Sequence, residues 1–275
     1  MWNTNRSGTT LGCGREMAPS VRFALALVVS FVAVAYAQVQ CTVGSSGTYS
    51  TINAGLSGCN GGVGSYELII DGQFSETLFF PLTAVNVTLT SLEFTGGLVP
   101  ASPFPENITA RISGFDWIVA NVSTAIFIRG IVLDGLRTTA GLFKPWLINN
   151  NITLDRCLVS NWTGEYVIRI EACRRSVLGH VVNTRFQDIW GNAFWAQGME
   201  DIIVEGNVLD RVGGFMNQSG MYLKPSYVTE GTFVLRNNSG WLLVDAQPRN
   251  CIFLGDVNGV TRCNRGALGT RLLVQ

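Results

Sequence analysis

Apolar and polar residues alternate in short runs through the middle of the chain, and these runs recur in a constant order. Residues 158–164, 186–191 and 208–213 are three versions of one segment, and each version ends in glycine. Two further alternating runs, separated by polar turns, follow each of them. Short runs of period two predict β-strands, and the absence of any helical pattern of about 10–15 residues excludes a doubly wound α/β fold.

The order of the runs bears on which all-β architecture they form. A β-sandwich also has many short strands and stays open as an alternative. The recurrence of strand, turn, strand and asparagine-rich turn, with glycines 27 and then 22 residues apart, is typical of a solenoid whose units stack on one another. We therefore expect an all-β, right-handed parallel β-helix, because crossovers between parallel strands are overwhelmingly right-handed.

The alternation also predicts the core and one turn of each unit. The expected inward residues form apolar pairs, one pair per strand: Ile152 and Leu154, Ile168 and Ile170, Phe194 and Ala196, Ile202 and Val204, Met221 and Leu223, Phe233 and Leu235. Asn183, Asn207 and Asn237 end their strands at matching places, where an asparagine in the left-handed conformation can turn the chain. We therefore expect a hydrogen-bonded ladder of asparagines from one coil to the next.

A short helix is expected to cover the N-terminal end of this stack. Tyr49, Ile52 and Leu56 have helical spacing, and Ser50 can serve as the N-cap. Such a helix would protect the strand edge that the first coil exposes.

Both ends of the chain differ from the repeats. Residues 23–37 form an uncharged apolar run behind Arg22, and residues 35–37 have the small-x-small pattern of a signal peptidase site. The run is shorter than the roughly 20 residues of a membrane span, and a buried core helix rarely starts a chain behind an arginine. We expect a signal peptide at residues 1–37, a β-helix domain at residues 38–254 and an irregular tail at residues 255–275, as in a truncated protein.

Composition argues against nucleic acid as a partner. The chain has 275 residues, 47% of them hydrophobic and 14% charged, and its 19 basic groups are balanced by 19 acidic ones. No basic face for a polyanion is therefore expected. After removal of the signal peptide, no membrane span remains.

The cysteines of the mature chain favour disulfides, because their number is even in a chain expected to be secreted. They are Cys41, Cys59, Cys157, Cys173, Cys251 and Cys263. Many connectivities are open, but the sequence separations within successive pairs, 18, 16 and 12 residues, favour bonds between neighbours. Zinc is disfavoured because no pair has the short spacing of zinc ligands and the only histidine is His180.

Seven N-glycosylation sequons agree with a secreted glycoprotein. They begin at Asn86, Asn107, Asn121, Asn151, Asn161, Asn217 and Asn237. Asn237 also belongs to the expected ladder, and a residue of a buried ladder cannot carry a glycan. We favour the ladder at that position.

The opening of the mature chain is similar to that of a known family. Residues 47–54, Gly-Thr-Tyr-Ser-Thr-Ile-Asn-Ala, precede stacked strand–turn units with asparagine-bearing turns. This combination resembles the pectin-lyase-like right-handed parallel β-helix superfamily from Thr42 to Leu254. The resemblance implies the fold rather than a reaction, since members include pectate lyases, polygalacturonases, pectinesterases and proteins with no enzymatic role.

The chain lacks the catalytic motifs of most reactions known in that superfamily. Polygalacturonase-like catalysis needs Asn-Thr-Asp, Asp-Asp, Gly-His-Gly and Arg-Ile-Lys, whereas this chain has Asn-Thr-Arg at 183–185, Gly-His-Val at 179–181 and Arg-Ile-Glu at 169–171. Paired carboxylates for inverting hydrolysis are missing, and outward acidic residues are single rather than clustered as calcium requires. We expect neither a metal nor a cofactor.

The remaining candidate site is the outward face of one strand column. Its residues are expected to stack in two rows: Arg169, Trp195 and Tyr222, beside Glu171, Gln197 and Lys224. The resemblance implies that this face holds a saccharide through Trp195, Gln197 and Glu171. In a lyase, Tyr222, Lys224 and Arg169 would be catalytic: they would remove a proton next to a uronate carboxylate and stabilise the enolate. The alternative is an exposed β-face whose Glu171–Lys224 pairing only tunes solubility.

A second column is expected to stack four polar residues: Asp155, His180, Glu205 and Arg236. Alternating charges explain this column through cross-strand pairing of about 0.2–1 kcal/mol per contact, with no function required. His180 lacks an evident nucleophile or orienting partner, which disfavours it as a general base.

Two functions follow from these observations. We prefer a secreted, non-catalytic glycoprotein, structural or carbohydrate-binding, whose partner is a polysaccharide or glycan, because no catalytic constellation is complete. The alternative is a polysaccharide lyase that acts on a uronic-acid-containing polymer through Tyr222, Lys224 and Arg169.

Overall fold

The computed structural model describes residues 38–97, 108–121, 123–143, 150–171, 178–199, 201–212, 221–225, 233–236, 238, 242–244 and 251–253. All of them belong to the unit Gln38–Gln275. The expected signal peptide and the expected tail at residues 255–275 lie outside the described residues. Within the described ranges, no helix is both long enough and apolar enough to cross a membrane.

The described chain is all-β, with long parallel sheets and one short α-helix, α1 (Ile52–Gly58). Sheet A consists of β1 (Val39–Gly44), β2 (Gly64–Asp71), β5 (Ala84–Ser91), β8 (Ala125–Arg129), β10 (Ile152–Asp155), β13 (Leu178–Val182), β16 (Asp201–Glu205), β19 (Phe233–Arg236) and β21 (Cys251–Phe253). Sheet B consists of β3 (Gln73–Phe74), β6 (Arg111–Ile112), β9 (Val132–Thr138), β11 (Leu158–Trp162), β14 (Arg185–Ile189) and β17 (Val208–Val212). Sheet C consists of β12 (Tyr166–Glu171), β15 (Asn192–Met199), β18 (Met221–Pro225) and β20 (Leu242–Val244), and a two-stranded sheet joins β4 (Phe79–Phe80) to β7 (Ile118–Val119).

Within each sheet, the spatial order of the strands follows their order in the chain. Strands β10, β11 and β12 enter sheets A, B and C in turn, and β13, β14 and β15 then pair with them in the same sequence. All described strand pairs are parallel, so the antiparallel sandwich left open by the sequence is wrong. Stacked parallel sheets of this kind are compatible with a β-helix.

The alternating residues that the sequence assigns to the core are buried. Ile152, Leu154, Ile168, Ile170, Phe194, Ile202 and Val204 are each no more than 1% exposed. The side chains of Ala196, Met221, Leu223, Phe233 and Leu235 lie outside the described part. Lower in the stack the core is aromatic: the Trp117 ring centroid lies 6.0 Å from that of Phe80 and 5.4 Å from that of Phe143.

The turn from sheet A to sheet B has the same backbone in four successive units. Gly130, Arg156, Asn183 and Gly206 occupy it with φ of 59°, 53°, 47° and 65°. Asparagine and glycine are the residues that accept this left-handed conformation most readily. The left-handed turn predicted at Asn183 is therefore confirmed, whereas the one predicted at Asn207 is wrong, because the preceding Gly206 takes that conformation.

The ladder lies one residue further along the chain than predicted. Its members are Cys157, Thr184, Asn207 and Asn238, and the first three directly follow the left-handed residues Arg156, Asn183 and Gly206. The backbone N–H of each residue donates to the side-chain oxygen of the next: Cys157 to Thr184 at 3.3 Å, Thr184 to Asn207 at 2.8 Å, and Asn207 to Asn238 at 3.0 Å.

The ladder position predicted for Asn183 is therefore wrong, because Asn183 forms the preceding turn and Thr184 takes its place. The reason is that the residue after the turn points its side chain into the stack. Asn207 belongs to the ladder as predicted, and Asn238 is its next member. Asn237 lies outside the described residues.

The second predicted column is also out of register at His180. This residue pairs with Thr153 and Ile203, whereas Asp155 pairs with Val182. The prediction aligns the last residues of the alternating runs, but strand β13 continues two residues past His180 to the turn at Asn183. The register follows the positions of the turns instead. The expected neighbours Glu205 and Arg236 do pair in register.

Helix α1 is the predicted cap, with a different first residue. Thr51, not Ser50, is its N-cap and accepts a hydrogen bond from the Ala54 N–H at 3.1 Å. Ile52 and Leu56 are buried as predicted, but Tyr49 precedes the helix and forms a parallel bridge to Val43.

Polar and covalent contacts attach α1 to the stack. The Glu76 carboxylate accepts hydrogen bonds from the N–H groups of Ile52 at 2.7 Å and Asn53 at 3.1 Å. A disulfide joins Cys41 of β1 to Cys59, the residue after the helix. Neighbour pairing is therefore confirmed for this first pair.

The predicted bond of Cys157 to its neighbour Cys173 is wrong. Cys157 is a free, buried thiol. Its Sγ donates to the carbonyl oxygens of Ile128 at 3.4 Å and Asp155 at 3.5 Å. The side chain occupies the ladder position and points inward, away from any surface partner. Cys173 and Cys263 lie outside the described residues, as does the side chain of Cys251.

Candidate functional site

Sheet C aligns both predicted rows of residues by strand register. Arg169 of β12 pairs with Trp195 of β15, and Trp195 pairs with Tyr222 of β18. The second row aligns Glu171 with Gln197 and Gln197 with Lys224. Adjacent strands are about 4.8 Å apart, so residues 26 or 27 positions apart in sequence become direct neighbours.

Arg169 stacks on two aromatic rings. Its guanidinium carbon lies 4.0 Å from the ring centroid of Trp195 and 5.2 Å from that of Tyr166. The two ring centroids are 6.2 Å apart, with their planes at 49°. We call these three half-buried residues, Tyr166, Arg169 and Trp195, the aromatic platform. A planar guanidinium stacked on ring faces loses much of its freedom to move.

The platform is held in place by the core beneath it. Val167, Ile168 and Ile170 of β12 are fully buried, and Ala193 and Phe194 of β15 are buried beside them. Tyr166, Arg169 and Trp195 are half-buried and lie on the outer face. Tyr166 was not predicted, because strict alternation puts residues 166 and 169 on opposite faces. Two consecutive buried residues, Val167 and Ile168, break that alternation.

The chemistry of the platform suits binding. Ring faces of tyrosine and tryptophan pack against the apolar faces of sugars, and their polar edges tolerate water. A guanidinium donates hydrogen bonds but does not deprotonate in proteins, so Arg169 can orient or neutralise an anion and cannot act as a base. The proton acceptors predicted for a lyase, Tyr222 and Lys224, have side chains that lie outside the described part. The catalytic and substrate-binding roles of both rows stay predictions.

His180 lies on sheet A rather than on sheet C. It is half-buried between Thr153 and Ile203 in register, so the structure does not bring it to the aromatic platform. In the part of the chain that the structure describes, no three histidine, cysteine or acidic residues are grouped closely enough to hold a metal ion.

The charged residues of sheet B pair with one another. Arg211 forms a two-point ion pair with Asp188, with nitrogen–oxygen distances of 2.6 and 3.0 Å, and this contact lowers the pKa of the Asp188 carboxyl. Arg185 reaches Asp210 at 3.2 Å. These pairs are exposed or half-exposed and account for the local charge without a ligand.

Four of the seven sequon asparagines lie in the described part, and all four are half-buried. The side-chain amide of Asn86 donates to the Ser65 hydroxyl at 2.9 Å, and that of Asn161 donates to Asp134 at 3.1 Å. Asn121 accepts a hydrogen bond from the Ser123 N–H at 2.9 Å, and Asn151 immediately precedes β10. Asn107, Asn217 and Asn237 lie outside the described residues.

Comparison with known proteins identifies no relative of this chain. No protein-family model matches the chain, and neither does any curated protein or solved structure. The stacked parallel sheets and the aromatic platform are therefore the basis on which a function is proposed.

Proposed function

We infer that the chain is a secreted, N-glycosylated parallel β-helix protein of the pectin-lyase-like superfamily, and that it acts outside the cell as a non-catalytic carbohydrate-binding module. The strand order supports the solenoid, since successive units enter three parallel sheets in the same sequence. The Cys41–Cys59 disulfide suits an oxidising compartment, as does the signal-like leader.

The aromatic platform carries the functional part of this proposal. Arg169 stacks on Trp195 and Tyr166, so the face presents ordered rings and a fixed positive charge. Side chains that are already ordered lose less entropy on binding, and this favours the binding of an extended sugar chain to an open surface. An arginine that cannot deprotonate contributes to recognition and orientation more directly than to proton transfer.

Binding to defined oligosaccharides tests the proposal. The full chain is expressed in a eukaryotic host, and the secreted protein is titrated calorimetrically with hexagalacturonate, cellohexaose, xylohexaose and mannohexaose. We expect at least one hexasaccharide to bind and Trp195→Ala to weaken that binding roughly tenfold. Phe127→Ala, which removes a partly exposed ring from sheet A, is the matched control and should leave the affinity unchanged. Absence of binding to all four sugars would refute the proposal.

A lyase is a second candidate because the strand register aligns Arg169 with Trp195 and Trp195 with Tyr222. Lys224 lies on strand β18 together with Tyr222. In such a β-elimination a base removes the proton next to the uronate carboxylate, the bond to the leaving sugar oxygen breaks, and that oxygen takes up a proton. The reaction leaves an unsaturated sugar that absorbs ultraviolet light. Formation of this product from polygalacturonate, abolished by Tyr222→Phe or Lys224→Ala, would favour the lyase over the binding module.

A further inference from the structure

Trp190 is an exposed tryptophan at the corner between sheets B and C. It follows the last residue of β14 and precedes β15 by two positions, and its exposed fraction is 52%. By contrast, Trp117 and Trp162 are fully buried. Tryptophan is on average a highly buried residue, so a tryptophan with about half of its surface exposed to solvent is unusual.

The backbone at this corner is tightly fixed. The Trp190 N–H donates to the Trp162 carbonyl at 2.8 Å, and the Asn192 N–H donates to the Glu165 carbonyl at 2.8 Å. Between them, Gly191 lies so close to the unit below that a Cβ would be 2.2 Å from the Glu165 oxygen. The corner cannot shift outward without losing these contacts.

The same corner is stacked in the unit below. The Thr163 N–H donates to the Thr138 carbonyl at 2.9 Å, and the Thr163 hydroxyl donates to the Arg137 carbonyl at 2.7 Å. The backbone of Trp190 is therefore fixed by hydrogen bonds to an ordered turn in the unit below, independently of any ligand.

Trp190 precedes Trp195 of the aromatic platform by five positions in the chain. An extended chain spans at most about 3.6 Å per residue, so the two Cα atoms are no more than about 18 Å apart. Both lie on the outer surface, one at the corner and one on sheet C. A sugar chain that stacks on Trp195 and continues toward sheet B would pass this corner.

We propose that Trp190 is a second aromatic subsite, which stacks on an outer sugar of an oligosaccharide whose inner sugars occupy the aromatic platform. This inference rests on the proposed carbohydrate-binding function. The indole supplies a broad apolar face, and its fixed backbone lowers the entropy cost of that contact.

Affinity measurements on the intact secreted protein test the subsite. The four hexasaccharides named above are compared with their trisaccharides for the unaltered protein, Trp190→Ala, Trp190→Phe and the control Phe127→Ala. Trp190→Ala should weaken hexasaccharide binding roughly five- to tenfold, whereas Trp190→Phe should retain most of it. Trisaccharide affinity should change by less than about twofold, because the shorter sugar is held by the platform.

Chemical protection provides a test without substitution. N-bromosuccinimide oxidises accessible indoles, and mass spectrometry of peptides reports each tryptophan separately. Hexasaccharide should protect Trp190 and Trp195 together, while the buried Trp117 and Trp162 remain unreactive throughout.

The outcomes separate this inference from the proposed function. If hexasaccharide binds and depends on Trp195, but neither protection nor affinity involves Trp190, the second subsite is wrong and the binding function stands. If no sugar binds, both fail. If Trp190→Ala changes the sedimentation coefficient of the protein and not its sugar affinity, the indole belongs to an interface between copies and the subsite is overturned.

Discussion

Asn207 and Asn238 are hydrogen-bonded to each other in the interior of the stack. The Asn207 side-chain amide donates to the Asn238 side-chain oxygen at 2.9 Å, and the same oxygen accepts the Asn207 backbone N–H at 3.0 Å. Asn207 also donates to the Val181 carbonyl at 2.7 Å, and Asn238 donates to the Val204 carbonyl at 2.8 Å. One asparagine thus ties its own unit to the units on either side.

Removing this side chain should be costly. Asn207→Ala leaves the Thr184 N–H and the Val181 carbonyl buried without their partners, at about 1–3 kcal/mol for each buried group. We expect urea denaturation to show a loss of at least about 2 kcal/mol in the free energy of unfolding. Asn86→Ala, which removes a half-buried amide with a hydrogen bond to Ser65, should cost less than about 1 kcal/mol. Equal losses in the two variants would contradict the ladder.

The cap helix depends on a carboxylate from another element. Glu76→Ala removes the acceptor of the Ile52 and Asn53 N–H groups. It also removes a negative charge that stabilises the positive end of the helix dipole. We expect a destabilisation of about 1–2 kcal/mol, measured by urea denaturation. Glu67→Ala, whose carboxylate accepts only from the Gln40 amide among its described contacts, is the matched control and should change the free energy by less than half as much.

Stability should fall at high pH through two buried acids. Burial raises the pKa of the Cys157 thiol from 9.0 to about 12 and that of the Tyr66 hydroxyl from 10.0 to about 12. Both groups stay protonated in the folded state while the unfolded chain ionises, so their stabilisation is complete below pH 9 and is lost as the pH rises toward 12. We expect the free energy of unfolding to decline progressively from pH 9 upward in urea titrations.

Single variants separate the two contributions. Cys157→Ala should flatten the decline from pH 9, and Tyr66→Phe should flatten it only above pH 10. A decline that both variants leave unchanged would mean that other groups are responsible. Because ionisation controls thiol reactivity, iodoacetamide at pH 8 should also leave Cys157 unmodified in the folded protein and label it after denaturation.

The aromatic platform makes arginine and lysine distinguishable at position 169. Lysine keeps the charge but has no planar group to lie on the Trp195 and Tyr166 rings. Arg169→Lys should therefore weaken binding of the preferred hexasaccharide severalfold, while the free energy of unfolding changes by less than about 1 kcal/mol. Arg129→Lys on sheet A, where the arginine pairs with Asp155 at 3.2 Å, should leave binding unchanged. If Arg169→Lys and Arg129→Lys bound the hexasaccharide equally well, stacking of the guanidinium on the rings would not contribute to binding.

Alternation, together with the recurrent order of the runs, was sufficient to predict the parallel sheets and seven residues of their core. Residues such as Ile168 and Ile170 alternate with outward ones, and repeated units of similar length leave few other ways to bury them. The same logic predicts the alignment of Arg169 with Trp195, which the strand register confirms. Register within a sheet follows from turns at equivalent places, and three of the four left-handed turns between sheets A and B are visible in the sequence as Asn or Gly, whereas the turn at Arg156 is not.

Alternation could not resolve details that depend on single turn residues. It does not say which of two neighbouring positions takes the left-handed backbone, so Asn183 was assigned to the ladder that Thr184 joins. It also misses breaks in period two, such as the adjacent buried residues before Arg169, and therefore missed Tyr166. Cysteine spacing likewise cannot tell an inward thiol such as Cys157 from one near a partner.

The strand order described above has a consequence for how such a chain can grow. Within each of the three long sheets, the described strands pair with their neighbours in chain order, so an added strand in each sheet would lengthen all three and create pairings of a kind already present. The outer face gains one row with every copy. A lineage could thus extend its contact surface by duplication, with the interior already compatible with each addition.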